Sequence, residues 1–264
     1  MTLRTRTIAV VILALCVVIV ITSSVLLKPK AAASGVARPS PGATAATSPA
    51  PLSTSRAMPV AAIPATQLGT RPATTLLADL PVKPALPIAG YNRTGNFGAA
   101  WLDEDRNGCD TRDDILARDL SAITKSGSCR VVSGTLVSPY TDTTIHFVRG
   151  VKTSALVQID HLVALGDAWQ TGAQSLSQTQ RLDLANDPLE LMAVDGRSND
   201  EKSDKDASQW LPPNVAFDCT YVARQISVKV SYSLWVTPTE HDAMARVLAG
   251  CGPISGTAST LATG

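Results

Sequence analysis

The sequence predicts an α+β domain in the part of the chain that follows residue 86. Between Gln158 and Trp210 the pattern is strand, turn, strand and helix, with helical patterns on either side. Four of the five cysteines also fall in this part, which is typical of a disulfide-containing exported domain. The preceding segment is rich in Ala, Pro, Ser and Thr, and this change of composition sets the domain boundary.

The N-terminus is typical of a signal peptide or a membrane anchor, which we assign to residues 1–27. Arg4 and Arg6 precede an apolar, helix-forming run from Ile8 to Ile21. A secretory signal contains ~7–15 apolar residues and a membrane span needs ~20, so the run is compatible with either. In both cases we expect the domain to lie outside the cytoplasm, either secreted or anchored to the membrane.

Residues 28–86 are predicted to form a disordered linker. They contain almost no aromatic residues and few charges. Such a segment cannot bury enough apolar surface to offset the entropy lost on ordering. The folded domain is therefore predicted at residues 87–252, followed by a flexible tail at residues 253–264.

Helical and strand patterns alternate across the predicted domain. Asp113 and Asp114 lie in the first turn of a helix predicted over residues 111–123, where carboxylates are favourable. Thr237 and Pro238 are an N-cap and a first helical residue, and they begin a final helix. The other predicted elements are strands at 129–137, 144–148, 156–161 and 189–194, and helices at 167–170, 178–185, 198–209 and 221–232.

Four polar residues in the central pattern can supply hydrolytic chemistry. Asp160 and His161 end one strand, and adjacent strand residues point to opposite faces. If the following helix returns against that strand, Asp160 and Asn199 offer two oxygen ligands for a hard ion such as Mg²⁺. His161 can then take a proton from water at neutral pH. Lys202 lies one helical turn after Asn199 and can contact phosphate.

The stretch from Ile159 to Pro213 resembles an HNH (ββα-metal) endonuclease. The wider segment resembles exported actinobacterial HNH endonuclease family proteins, which are related to the C-terminal nuclease domains of type IV restriction enzymes. The matching blocks are Asn107–Arg112, Ile159–Trp169, Ala185–Leu189, Ala193–Gly196 and Trp210–Pro213.

The resemblance implies a ββα-metal core embedded in a mostly helical, disulfide-containing domain. It implies that His161 is the general base and that Asp160 and Asn199 hold the metal, Mg²⁺ or Mn²⁺ in its place. The implied substrate is nucleic acid.

The chain departs from the family pattern at one position. Where many HNH proteins carry Asn followed by Leu, this chain has Glu190 and Leu191. The family residue usually braces the loop that holds the base. Either Glu190 braces that loop in another way, or nearby Asn186 takes the role.

A second acidic pattern lies earlier in the domain. Asp103, Asp105 and Asn107, with Asp114 at the twelfth position, match a calcium-binding loop except that Asp replaces the usual Glu. Structural Ca²⁺ is one interpretation, and an ion-free acidic turn before a helix is the other. Arg112 nearby is a candidate partner for phosphate or for a carboxylate.

The four cysteines of the domain allow three disulfide pairings. Proximity along the chain favours Cys109 with Cys129 and Cys219 with Cys251. A zinc site made of four cysteines is the competing interpretation. The Cys-x₂-Cys spacing typical of such sites does not occur.

Charge limits the mode of substrate binding. The chain has 23 Lys and Arg against 22 Asp and Glu, a formal charge of +1, so no broad basic surface is predicted. We therefore expect a metal-dependent endonuclease that acts on DNA, with RNA as an alternative substrate, and with low sequence specificity. The alternatives are a non-catalytic cell-surface protein that binds calcium or nucleic acid on an HNH scaffold, and a hydrolase of cell-envelope polymers. No sequence feature points to a protein partner.

Overall fold

The computed structural model describes residues 69–262, so the predicted signal or anchor and the linker up to residue 68 lie outside the described residues. Within residues 69–262, no helix is long and apolar enough to cross a membrane. The helices are α1 (Ala73–Asp79), α2 (Arg93–Phe97), α3 (Thr111–Asp119), α4 (Leu165–Gln170), α5 (Gln178–Asn186), α6 (Gly196–Lys202), α7 (Asp218–Ser231) and α8 (Pro238–Ala249). The strands are β1 (Ser121–Ser126), β2 (Arg130–Val137), β3 (Thr144–Val148), β4 (Val157–His161) and β5 (Leu191–Asp195).

The strands form two antiparallel sheets, which confirms the α+β class. One sheet has the order β1-β2-β3, and the other is the pair β4-β5. In the pair, Val157 lies opposite Asp195 and His161 lies opposite Leu191. Helix α6 begins directly after β5, so β4, β5 and α6 are the two strands and the helix that the sequence pattern predicts.

The β4-β5 pair is buried on both faces. Ile159 and Ala193 pack in an apolar cluster with residues of α3 and β2. Met192 and Val194 pack in a second cluster with residues of α1, α7 and α8. This double burial explains why all five residues of β5 are buried and why the strand reads as a nearly continuous apolar run.

The boundary between α6 and β5 is set by local chemistry. The Asp195 side chain accepts a hydrogen bond from the Ser198 backbone N–H and so acts as the N-cap. Gly196 lies so close to the turn before β4 that a Cβ there would be 2.1 Å from the Ala155 carbonyl oxygen, and 3.0 Å from Nε2 of Gln158 in β4. These two residues hold α6 against β4.

The predicted limits of the domain are wrong at both ends. Helix α1 lies inside the predicted linker, and Leu76 and Leu77 are buried in the core. The composition of residues 28–86 as a whole concealed this short apolar pattern. At the other end the predicted flexible tail is ordered to residue 262, because Ser259 is buried and its hydroxyl donates to Asp187.

Two predicted helices are too long. The helix expected over residues 111–123 ends at Asp119, and Ser121–Ser126 form β1, which the sequence pattern did not reveal. The helix expected over residues 198–209 ends at Lys202, because Ser203 adopts a φ of 50° that a helix cannot continue. The final helix has the predicted Thr237 cap.

The structure contains the two disulfides that chain proximity favours. Cys109 is bonded to Cys129, and Cys219 to Cys251. The first joins the acidic loop before α3 to the start of β2. The second joins the start of α7 to the end of α8.

Candidate active site

His161 lies at the end of β4 with both ring nitrogens engaged. Its Nε2 is 2.9 Å from the Ala185 carbonyl oxygen, and its Nδ1 is 3.3 Å from Nη2 of Arg93. The carbonyl can only accept and the guanidinium can only donate. Nε2 therefore carries the proton, and the Nδ1 lone pair accepts from the exposed Arg93 side chain.

The surroundings of His161 keep the ring neutral. Burial, followed by the positive charge of Arg93, lowers the pKa of His161 from 6.5 to about 3. The side chain is therefore an unprotonated base at every pH near neutrality. This is the protonation state that a group must have to accept a proton from water.

Asp160 points to the opposite face of β4 and is only 5% exposed. Its Oδ1 accepts a hydrogen bond from Lys202 Nζ at 3.0 Å, and its Oδ2 accepts one from the Tyr140 hydroxyl. Both carboxylate oxygens therefore already have donors.

Asn199 lies over the same face of β4 as Asp160. Its Nδ2 donates to Oε1 of Gln158 at 2.8 Å, and Gln158 and Asp160 are alternate residues that share one face. This bond leaves Oδ1 as the amide atom available to a ligand. One carboxylate and one amide oxygen fit a hard divalent cation, provided that the ion replaces one of the donors now on Asp160.

Lys202 is fully buried and not directed to solvent. Besides Asp160, its Nζ donates to the His161 carbonyl oxygen at 2.8 Å. The ammonium thus joins the residue on one face of β4 to the backbone of the next residue. In this position it neutralises Asp160, and contact with a phosphate would require it to leave that carboxylate.

Glu190 holds the segment that follows His161. Its Oε2 accepts from the Val163 backbone N–H at 3.1 Å, and its carbonyl accepts from the Leu162 N–H at 2.9 Å. Burial raises the pKa of Glu190 well above its ordinary value, which favours the protonated carboxyl. A neutral carboxyl offers one acceptor and one donor, as an amide does.

Residues 110–247 match the family described as GmrSD restriction endonucleases, C-terminal domain. The chain belongs to this family. It is also 36% identical, over 181 residues, to an uncharacterized secreted protein of Arthroderma benhamiae; the match covers 68% of this chain and 84% of the relative. No solved structure matches the chain. This relative is fungal. The comparisons therefore show the family but do not show the actinobacterial source that the sequence resemblance implied.

The acidic loop before α3 contains three of the predicted calcium ligands, and the family match begins at its last residue, Asp110. Asp103 accepts from the backbone N–H groups of Asn107 and Gly108, and Asp105 accepts from Asn107 as well. Burial and the neighbouring carboxylates raise the pKa of Asp114. The predicted calcium ligands Asp103, Asp105 and Asn107 thus hydrogen-bond within the loop itself. Ca²⁺ binding stays a prediction.

Arg112 lies on α3 and is turned towards β4. Its Nη2 donates to the Val157 carbonyl oxygen at 3.1 Å, and its guanidinium carbon is 5.9 Å from the centre of the Trp101 ring. Burial lowers its pKa. This position fits a structural contact with the first residue of β4.

A further group of three carboxylates includes Asp167 of α4. Oxygens of Asp167, Asp206 and Glu240 lie within 4.8 Å of one another. Lys229 Nζ, fully buried, is 3.1 Å from Asp167 and 2.8 Å from Glu240. The ammonium therefore provides the cation at this cluster.

Sequence reasoning missed two groups that contact the site. Arg93 lies 68 positions before His161, in a helix of five residues, and no local pattern links it to the base. Tyr140 follows the Ser138-Pro139 turn, and its contact with Asp160 depends on the packing of the β2-β3 connection against β4.

Proposed function

We propose that this chain is an exported endonuclease that hydrolyses phosphodiester bonds of DNA with low sequence specificity, with RNA as an alternative substrate. Membership of the GmrSD C-terminal domain family supports a nuclease. A secreted relative and two disulfides support an extracellular location. Residues 1–27 would direct export or anchor the domain to a membrane.

The observation that carries the proposal is the unprotonated Nδ1 of His161 beside Arg93. Hydrolysis of a phosphodiester needs a base for the attacking water and positive charge for the phosphate oxygens. His161 supplies the base, with its proton fixed on Nε2 by the Ala185 carbonyl. Arg93 supplies an exposed guanidinium that can turn from Nδ1 to a non-bridging phosphate oxygen.

We propose Asp160 and Asn199 as the residues that would hold a divalent cation, Mg²⁺ or Mn²⁺. When bound, such a cation supplies charge that stabilises the phosphate oxygens and the departing oxygen. Because Lys202 now occupies one oxygen of Asp160, metal binding and the Asp160–Lys202 pair compete. Glu190 keeps the Leu162–Val163 segment, and with it His161, in place.

The experiment is cleavage of supercoiled plasmid by the full chain, purified with its disulfides formed. We expect nicking that depends on Mg²⁺ or Mn²⁺ and is lost in EDTA and in His161→Ala. His146→Ala is the matched control, since His146 lies on β3 and its contact is with Thr135, so it should cut at the wild-type rate. A folded His161→Ala variant with wild-type activity would refute the base assignment.

One observation favours the alternative of a non-catalytic nucleic-acid-binding protein, namely the pairing of both Asp160 oxygens with protein donors. Such a protein would retain DNA in an electrophoretic shift assay and leave it uncut with every metal. That result would replace the nuclease proposal.

A further inference from the structure

A small cavity lies beside His161. Its volume is about 40 Å³, and its lining includes His161, Arg93, Asn186, Phe97 and Trp101. A water molecule needs roughly 10–15 Å³ of such space, so the cavity has room for one or a few waters. It is too small for a nucleotide.

Asn186 lines this cavity and carries an unpaired acceptor. The side chain is 3% exposed, and its Nδ2 donates to the Leu182 carbonyl oxygen at 3.0 Å. The opposite amide orientation would place two oxygens together, so the Leu182 contact fixes which atom is Oδ1. Oδ1 is buried and has no hydrogen-bond donor within residues 69–262.

A buried acceptor without a donor is unfavourable and therefore points to a polar ligand. His161 lines the same cavity, and its Nδ1 is a second acceptor that can take another donor once Arg93 turns away. With Arg93 turned away, two acceptors beside one small cavity match a ligand that donates two hydrogens. Water is the ligand of this size that does so.

We propose that Asn186 Oδ1 and His161 Nδ1 together hold the water that attacks the phosphodiester, which makes Asn186 a water-positioning residue. This inference rests on the proposed nuclease function. Each acceptor takes one O–H of the water, so the oxygen lone pairs point away from both residues and towards the substrate.

In the reaction, Nδ1 of His161 removes one proton from the water. The electron pair of that O–H bond forms the new bond from oxygen to phosphorus. The bond from phosphorus to the leaving oxygen breaks, and that oxygen departs with its electron pair and takes a proton from solvent. Asn186 accepts the second O–H throughout and exchanges no proton.

The test compares Asn186→Leu, which keeps the shape and removes the acceptor, with Asn186→Asp, which keeps an acceptor and, as the protonated carboxyl that burial favours, can also donate to the Leu182 carbonyl. We expect the leucine variant to lose at least tenfold in kcat with an unchanged KM, because Asn186 contacts the water and not the DNA. The aspartate variant should regain part of that kcat. Asn214→Leu is the matched control, because the Asn214 amide donates to the Pro139 carbonyl at 3.0 Å, outside the cavity.

The outcomes separate this inference from the function on which it rests. Wild-type kcat in a folded Asn186→Leu variant would overturn the role of Asn186 and leave the nuclease proposal intact. A loss that appears only in KM or in thermal stability, with no recovery in Asn186→Asp, would show a structural role and also overturn it. A wild-type chain that cuts no DNA with any metal would overturn both.

Discussion

Replacing Lys202 by methionine removes the ammonium that, among residues 69–262, forms the ion pair with Asp160. Methionine fills a similar volume but cannot donate to Asp160 Oδ1 or to the His161 carbonyl, which Lys202 Nζ contacts at 3.0 and 2.8 Å. Asp160 would then be a buried carboxylate held by the Tyr140 hydroxyl alone. Breaking a buried ion pair by deleting one partner costs about 3–5 kcal/mol.

For a domain of this size, that loss corresponds to a fall in Tm of roughly 6–20 °C, at ~2–4 °C per kcal/mol. Urea unfolding followed by circular dichroism at pH 7 measures the change directly. Lys205→Met is the control, because Lys205 is exposed and its Nζ donates only to the Glu201 carbonyl. We expect its effect to stay within about 0.5 kcal/mol.

Two further measurements identify the source of the loss. The double variant with Asp160→Asn removes the buried charge and should recover much of the stability. If a divalent cation binds Asp160 in place of the ammonium, Mn²⁺ should raise the Tm of Lys202→Met more than that of the wild type. A Lys202→Met midpoint equal to the wild-type midpoint would refute the reasoning.

Two other predictions concern stability. The folded state keeps a proton on Glu190 that the unfolded state releases above pH 4.5, so wild-type stability falls as pH rises from there towards the raised folded pKa. The free energy of unfolding of Glu190→Gln, relative to that of the wild type, should rise by up to ~1.4 kcal/mol per pH unit over this range. Urea unfolding of both proteins at pH 5 and pH 8 measures this difference, and a difference that is the same at the two pH values would contradict the prediction. Replacing Cys219 and Cys251 by serine opens a link spanning 32 positions and should cost about 3.7 kcal/mol. The Cys109–Cys129 link, spanning 20, should cost about 3.3 kcal/mol, and calorimetry of each double variant should give this order.

The elements with strong local signals could be predicted from the sequence. Strands β4 and β5 are apolar runs bounded by turn residues, and the Thr237 cap begins the last helix as expected. Strand β1 was missed because its residues continue the helical apolar spacing of α3. Ile123 fits that helical spacing, yet in the structure it packs with the cluster between α3 and β2.

The site could be predicted only in part, since its geometry depends on contacts between distant segments. Asp160 and His161 stood out as a pair, but Arg93 approaches His161 from 68 positions away and Tyr140 reaches Asp160 across the fold. Sequence comparison also marked Glu190 as a departure. Its raised pKa gives the physical account, because a protonated carboxyl can make the contacts of an amide.

The hydrogen bond from Ser259 to Asp187 can form only after almost the whole chain has been synthesised. Asp187 is fully buried next to Asn186, and its carboxylate accepts from Tyr232 at 2.8 Å and from the Ser259 hydroxyl. Synthesis proceeds from the N-terminus, so the segment carrying Ala185 is among the last parts of the domain to be fixed. A chain interrupted after residue 252 would contain every candidate catalytic residue, yet the carbonyl that sets the proton on His161 would be less firmly held.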